Sequence, residues 1–149
     1  MSNAGSFNPL SPAIAPTIFR IAGLSNIIGV MVFSLALTNE RLIALSPIVL
    51  SRFGLVSIML WGWAYYAVAR SYRTVPGQVA VFAVEKAVYV VTWIIWLQAH
   101  GAELPMLLSD SPLTGIFYAV YGALDLLFGA FFALICWRSI HDSDSKSVG

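Results

Sequence analysis

Three charged side chains lie inside long apolar stretches of this sequence, where charged residues are rare. Glu85 and Lys86 belong to one stretch and Asp125 to another, and Tyr89 follows Glu85 by one helical turn. An ionised group is costly in an apolar medium. A carboxyl or ammonium group there therefore marks by default a site that binds a ligand or carries a proton. These four residues are the first candidates for chemistry.

Helical periodicity places other polar and aromatic residues on the same faces. With a rotation of about 100° per residue, Glu85 shares a stripe with Tyr89, and Asp125 shares a stripe with Tyr118. The two earlier apolar stretches carry weaker stripes of the same kind. The predicted ligand- or proton-binding site comprises Glu85, Lys86, Tyr89, Asp125, Asn26, Trp61, Tyr65 and Tyr118.

The spacing of the charged groups favours some contacts over others. Side chains tilt toward the N-terminus of their own helix, which draws Glu85 and Asp125 apart on antiparallel helices. We therefore expect no close pair of carboxyl groups. Tyr89 lies at the depth of Asp125, and we expect its hydroxyl to donate to that carboxylate. Lys86 is rotated away from the polar stripe, so it either extends to the membrane surface or bends inward and neutralises a carboxylate.

The composition indicates which elements hold these residues. Of the 149 residues, 59% are hydrophobic and only 10% are charged, against about 25% charged in a typical soluble domain. A spanning helix needs about 20 mostly apolar residues. The sequence predicts an all-α integral membrane protein, a bundle of four transmembrane helices at about 17–37, 50–69, 79–99 and 113–137.

The flanking segments complete the predicted organisation. The four spans form one domain over 17–140, between a flexible tail at 1–16 and a disordered polar tail at 141–149. A less favoured interpretation treats the first span as a cleaved signal peptide, although its apolar stretch is longer than such peptides need.

Basic residues predict the orientation of the bundle, because cytoplasmic loops carry more lysine and arginine. One side would carry Arg20, Arg70, Arg73, Arg138 and Lys146, and the opposite side only Arg41 and Arg52. Both termini should therefore be cytoplasmic, which is an N-in/C-in arrangement. The size and four-span layout resemble those of small bacterial inner-membrane proteins, including the DoxX-like group. That resemblance implies a multi-pass protein of a bacterial inner membrane and assigns no role to any residue.

Several function classes are disfavoured by the residues that are present. The chain has one cysteine, Cys136, and its two histidines, His100 and His141, fall outside the apolar stretches. We therefore expect no metal and no cofactor. A formal net charge of +1 does not suit binding to nucleic acid. No Walker A, HExxH, GxSxG or GxGxxG string occurs, and a non-enzymatic role is favoured over catalysis.

Three functions remain open on these grounds. The favoured one is an intramembrane polar and aromatic site that binds or moves a small amphipathic or apolar molecule, or protons. The second is a structural or assembly subunit of a larger membrane complex. The third is an intramembrane acid–base enzyme, such as an isomerase of a lipid-soluble substrate, for which sterol isomerases of the emopamil-binding type are a fold-level analogy. The expected partners are the lipid bilayer, a small amphipathic ligand, and a second copy or another membrane subunit.

Overall fold

The described part of the protein is built from helices. The computed structural model describes residues 13–147, with side chains as far as residue 141. It is 85% helical, with no strand among the described residues. The helices are α1 (Ala15–Phe33), α2 (Glu40–Leu45), α3 (Arg52–Val68), α4 (Pro76–His100), α5 (Leu104–Asp110) and α6 (Pro112–Ser147).

Three helical segments are long and apolar enough to cross a membrane. They are Ala15–Phe33, Pro76–Asp110 and Pro112–His141. Large apolar side chains such as Leu60 and Leu127 lie exposed on the outer surface, which is how helices in contact with lipid present themselves. These helices support the prediction of an all-helical membrane protein. At 17 residues, α3 is shorter than the three.

Local hydrogen bonds determine where the helices begin and end. The Asn39 side chain accepts from the backbone of Leu42 at the start of α2, and Ser51 accepts from Gly54 at the start of α3. After Phe33, three consecutive residues at 35–37 have positive φ values of 50°, 54° and 70°. The Ser34 hydroxyl accepts from the backbone of Leu37 and holds this turn. Helix α1 therefore ends at Phe33, whereas the predicted span reaches residue 37.

The sequence predicts a tail at each end of the chain. Most of the predicted flexible tail at 1–16 lies outside the described residues. At the other end, α6 continues to Ser147, into the segment from 141 onward for which the sequence predicts disorder.

The long helices pack closely in two antiparallel pairs, α1 with α3 and α4 with α6. A Cβ atom on Gly23 would lie 2.5 Å from the Gly62 carbonyl oxygen, and one on Gly62 would lie 2.6 Å from the Gly23 oxygen. Only glycine allows this approach of backbones. In the other pair the Trp93 ring covers Gly122, and its indole N–H donates to the Tyr118 carbonyl oxygen at 2.7 Å.

Two apolar clusters fill the space between the pairs, one toward each end of the bundle. The terminal cluster, near the start of α1 and the end of α6, contains the rings of Phe19, Tyr65, Phe82 and Phe132. The loop cluster, near α2 and α5, contains Trp96 stacked on Tyr118, with 4.0 Å between ring centroids. A layer of polar side chains lies between the two clusters and forms the candidate site.

Candidate intramembrane polar site

Lys86 bends into the bundle and joins two other helices. Its side chain is only 1% exposed. The Nζ atom donates to Asp125 Oδ1 on α6 at 2.5 Å and to Asn26 Oδ1 on α1 at 3.1 Å. The ammonium group therefore forms a buried ion pair rather than extending to the membrane surface.

Further contacts of this group reach the remaining long helix. Asn26 Nδ2 donates to the Ile58 carbonyl oxygen on α3 at 3.2 Å. Lys86 Nζ also lies 5.4 Å from the centroid of the Tyr65 ring and 6.0 Å from that of Tyr89, within the range of cation–π attraction. Contacts from this one ammonium group and its partners thus connect α1, α3, α4 and α6.

Glu85 has a much poorer set of partners. The Tyr65 hydroxyl donates to its Oε2 atom. The Oε1 atom is buried and has no hydrogen-bond partner among the described residues. The residue as a whole is 9% exposed. Buried polar atoms are nearly always hydrogen-bonded in folded proteins, so an orphaned carboxyl oxygen calls for an explanation.

The hydrogen bond expected from Tyr89 to Asp125 does not form, so that prediction is wrong. Within the described residues, the hydrogen bond to Asp125 comes from Lys86. The ammonium group forms a stronger hydrogen bond to a carboxylate than a neutral hydroxyl does. The Tyr89 ring instead borders both of the cavities that flank the polar layer.

The two acidic residues border different cavities. Asp125 borders a cleft of about 80 Å³ between α1 and α6, which also contains Asn26, Lys86 and Tyr121. Glu85 borders a groove of about 500 Å³ between α3 and α4. The walls of this groove are mostly apolar, with Phe53, Ser57 and Trp61 on α3 and Val84, Val88 and Thr92 on α4.

Nothing among protein-family models, curated proteins or solved structures matches this chain. No group of three or more histidine, cysteine, aspartate or glutamate side chains that could hold a metal ion occurs among the described residues.

The structure brings together most of the predicted site residues and separates one. Trp61 borders the groove beside Glu85. Tyr118 lies in the loop cluster, where its hydroxyl donates to the Leu42 carbonyl oxygen at 3.2 Å. Tyr118 shares a face of α6 with Asp125 but lies about two turns away, so it has no contact with the charged groups.

One tyrosine of the cleft is absent from the predicted site. Tyr121 borders the cleft beside Asp125 and stacks on Phe117 with 4.8 Å between ring centroids. It precedes Asp125 by four residues, a spacing that places two side chains on the same helix face. That spacing is the sequence signal that could have identified it.

Proposed function

We propose that this protein is a multi-pass membrane protein that binds a small amphipathic molecule taken from the bilayer. The ligand occupies the groove between α3 and α4, and its polar end contacts Glu85. One observation carries the proposal: Glu85 Oε1 is buried with no partner among the described residues, on a residue that borders a large, mostly apolar groove.

The sizes of the two cavities favour the groove as the ligand site. Pockets for small organic molecules have volumes of about 300–1,000 Å³, and the groove measures about 500 Å³. The cleft beside Asp125, at about 80 Å³, has room for a few water molecules only. Exposed Phe53 and Val84 flank the groove, so a lipid-soluble molecule can reach it laterally from the bilayer.

The polar layer divides into a structural half and a binding half. Lys86, Asp125 and Asn26 hydrogen-bond to one another and tie the helices together, which suits a role in helix register. Glu85 borders the larger cavity and, among the described residues, has an acceptor oxygen without a partner; a ligand with a hydroxyl or amine group would satisfy that oxygen.

We further propose that α3 is a fourth membrane span and that both termini are cytoplasmic, an N-in/C-in orientation. Helix α3 packs antiparallel to α1 through Gly23 and Gly62, so it crosses the same layer. Its 17 residues give a length of about 25 Å, and Phe53, Leu60 and Trp63 are exposed on its outer face. The uneven distribution of basic residues supports cytoplasmic termini.

The orientation can be tested with a membrane-impermeant thiol reagent. A cysteine placed at exposed Ser109 should react in intact cells, whereas one at exposed Ser71 should react only after permeabilisation. The reverse pattern would contradict the N-in arrangement.

Photolabelling tests the groove itself. The protein, in phosphatidylcholine nanodiscs, is irradiated with decanol that carries a diazirine on its tail. Peptides from the facing walls of α3 and α4 should be labelled above the other lipid-facing surfaces. Ser57→Trp, which fills the groove, should remove this excess.

A matched variant controls for added bulk. Gly29 borders the small cleft, and a Cβ atom there would meet no other atom within 4 Å. Gly29→Leu should therefore leave the labelling of the groove unchanged. Uniform labelling of all lipid-facing surfaces, or equal labelling of Ser57→Trp and the unmodified protein, would refute the proposed site.

A further inference from the structure

The buried charges in the polar layer do not balance if every group is ionised. Glu85 and Asp125 would contribute two negative charges, against the single positive charge of Lys86. Lys86 is bound to Asp125, and the hydrogen-bond donor to Glu85 is the neutral Tyr65 hydroxyl. An uncompensated charge in the membrane interior is costly, so the empty site is neutral when Glu85 holds a proton.

We infer that the groove binds an amphipathic amine in its cationic form, and that the ammonium group displaces the proton of Glu85. This inference rests on the proposed function and specifies its ligand class. Before binding, neutral Glu85 adds no charge to the Lys86–Asp125 pair. After binding, ionised Glu85 is balanced by the ligand, and one proton leaves for water. The net charge of the polar layer is zero in both states.

The walls of the groove offer several contacts for an ammonium group. Such a group has three N–H donors, and Glu85 Oε1 is an acceptor without a partner in the described part of the chain. The Ser57 hydroxyl donates to a backbone carbonyl of its own helix, which leaves its oxygen atom able to accept. The rings of Trp61 and Tyr89 also border the groove, and aromatic faces attract cations.

The titratable groups around Glu85 come from three helices. Helix α3 contributes the Tyr65 hydroxyl, and α4 contributes Lys86 and Tyr89. Helix α6 contributes Asp125, which is bound to Lys86. From α1, the polar layer contains Asn26, which does not titrate. Asp125 is already paired with Lys86, so an incoming cation has Glu85 as its carboxylate partner.

Proton release distinguishes a cationic ligand from a neutral one of the same shape. Decylammonium and decanol are compared on the protein in phosphatidylcholine nanodiscs, in weakly buffered solution with a pH indicator. Empty nanodiscs are subtracted to remove partitioning into lipid. Decylammonium should bind about tenfold or more tightly than decanol, with release of about one proton per bound molecule at a pH where Glu85 is protonated. Decanol should release none.

Two variants test whether Glu85 is the source of the proton and whether the groove is the binding site. Glu85→Gln should bind decylammonium about tenfold more weakly and release no proton. If that variant does not fold, Ser57→Trp should give the same loss by filling the groove. Equal affinity for decanol and decylammonium without proton release would overturn the cationic ligand, while groove labelling by the photoactivatable alcohol would still support the proposed function. Loss of both signals would refute the two proposals together.

Discussion

The two carboxyl groups of the polar layer differ in their hydrogen-bond partners and in the size of the cavity beside them. Asp125 is 14% exposed, bound to Lys86, and borders a cavity with room for a few water molecules. Glu85 is bound to one tyrosine hydroxyl and borders a groove about six times larger (about 500 against 80 Å³), and its other oxygen has no partner within residues 13–141. An intramembrane carboxyl group is therefore not a functional site by its position alone. The partners already present decide whether it is available for a ligand.

Removing the Lys86 ammonium group, which is paired with Asp125, should have the largest effect on stability. Lys86→Met leaves Asp125 and Asn26 without their donor, and breaking a buried ion pair in this way costs about 3–5 kcal/mol. The free energy of unfolding in detergent, followed by helical circular dichroism, measures this loss. The double variant Lys86→Met with Asp125→Leu should recover most of it, because no unpaired charge remains.

An exposed ion pair provides the control for that change. Arg52 and Glu40 form a salt bridge with side chains 64% and 72% exposed, so Arg52→Met should cost no more than about 1 kcal/mol. If Lys86→Met unfolded as easily as Arg52→Met, the buried pair would not hold the helices together.

The contact between Tyr65 and Glu85 should have an intermediate effect on stability. Tyr65→Phe removes the hydroxyl that donates to Glu85 Oε2 and leaves the whole carboxyl group without a partner, at a cost of about 1–3 kcal/mol. Tyr66→Phe, on the neighbouring exposed tyrosine, should cost less than about 0.5 kcal/mol. Equal stabilities of the two variants would show that the Tyr65 contact contributes nothing.

The smallest change in stability should come from Glu85 itself. Glu85→Gln replaces a neutral carboxyl group with a neutral amide that still accepts from Tyr65, so it should cost less than about 1 kcal/mol at neutral pH. Asp125→Asn removes the charge that pairs with Lys86 and should cost more in the same unfolding assay. A loss in Glu85→Gln as large as in Asp125→Asn would mean that Glu85 is an ionised, structural partner.

Some of this arrangement could be predicted from residue types alone. Charges inside apolar stretches identify Glu85, Lys86 and Asp125, because lipid tolerates few such residues. The direction of Lys86 could not be predicted. Periodicity gives the direction in which a Cβ atom points, and the four-carbon lysine side chain can bend away from it.

Other features depend on contacts between distant parts of the chain. A helical stripe gives the face of a residue but not its neighbours, which is why Tyr118 was grouped with Asp125 although it packs in the loop cluster. The turn at 35–37 has positive φ values at two leucines and an alanine, residues that do not favour that conformation. The Ser34 hydroxyl accepts from the Leu37 backbone and Asn39 Nδ2 donates to the Phe33 carbonyl oxygen, and both bonds support the turn. No glycine marks its position.

The protonation state of Glu85 tests the central claim most directly. Infrared difference spectra of the protein in dodecyl maltoside, recorded with and without decylammonium, report the carbonyl stretch of protonated carboxyl groups. The expected result at neutral pH is the loss of one such band on binding, and the absence of that loss in Glu85→Gln. A band that persists when decylammonium binds, or that is lost equally in Glu85→Gln, would contradict the assignment of Glu85 as the exchangeable group.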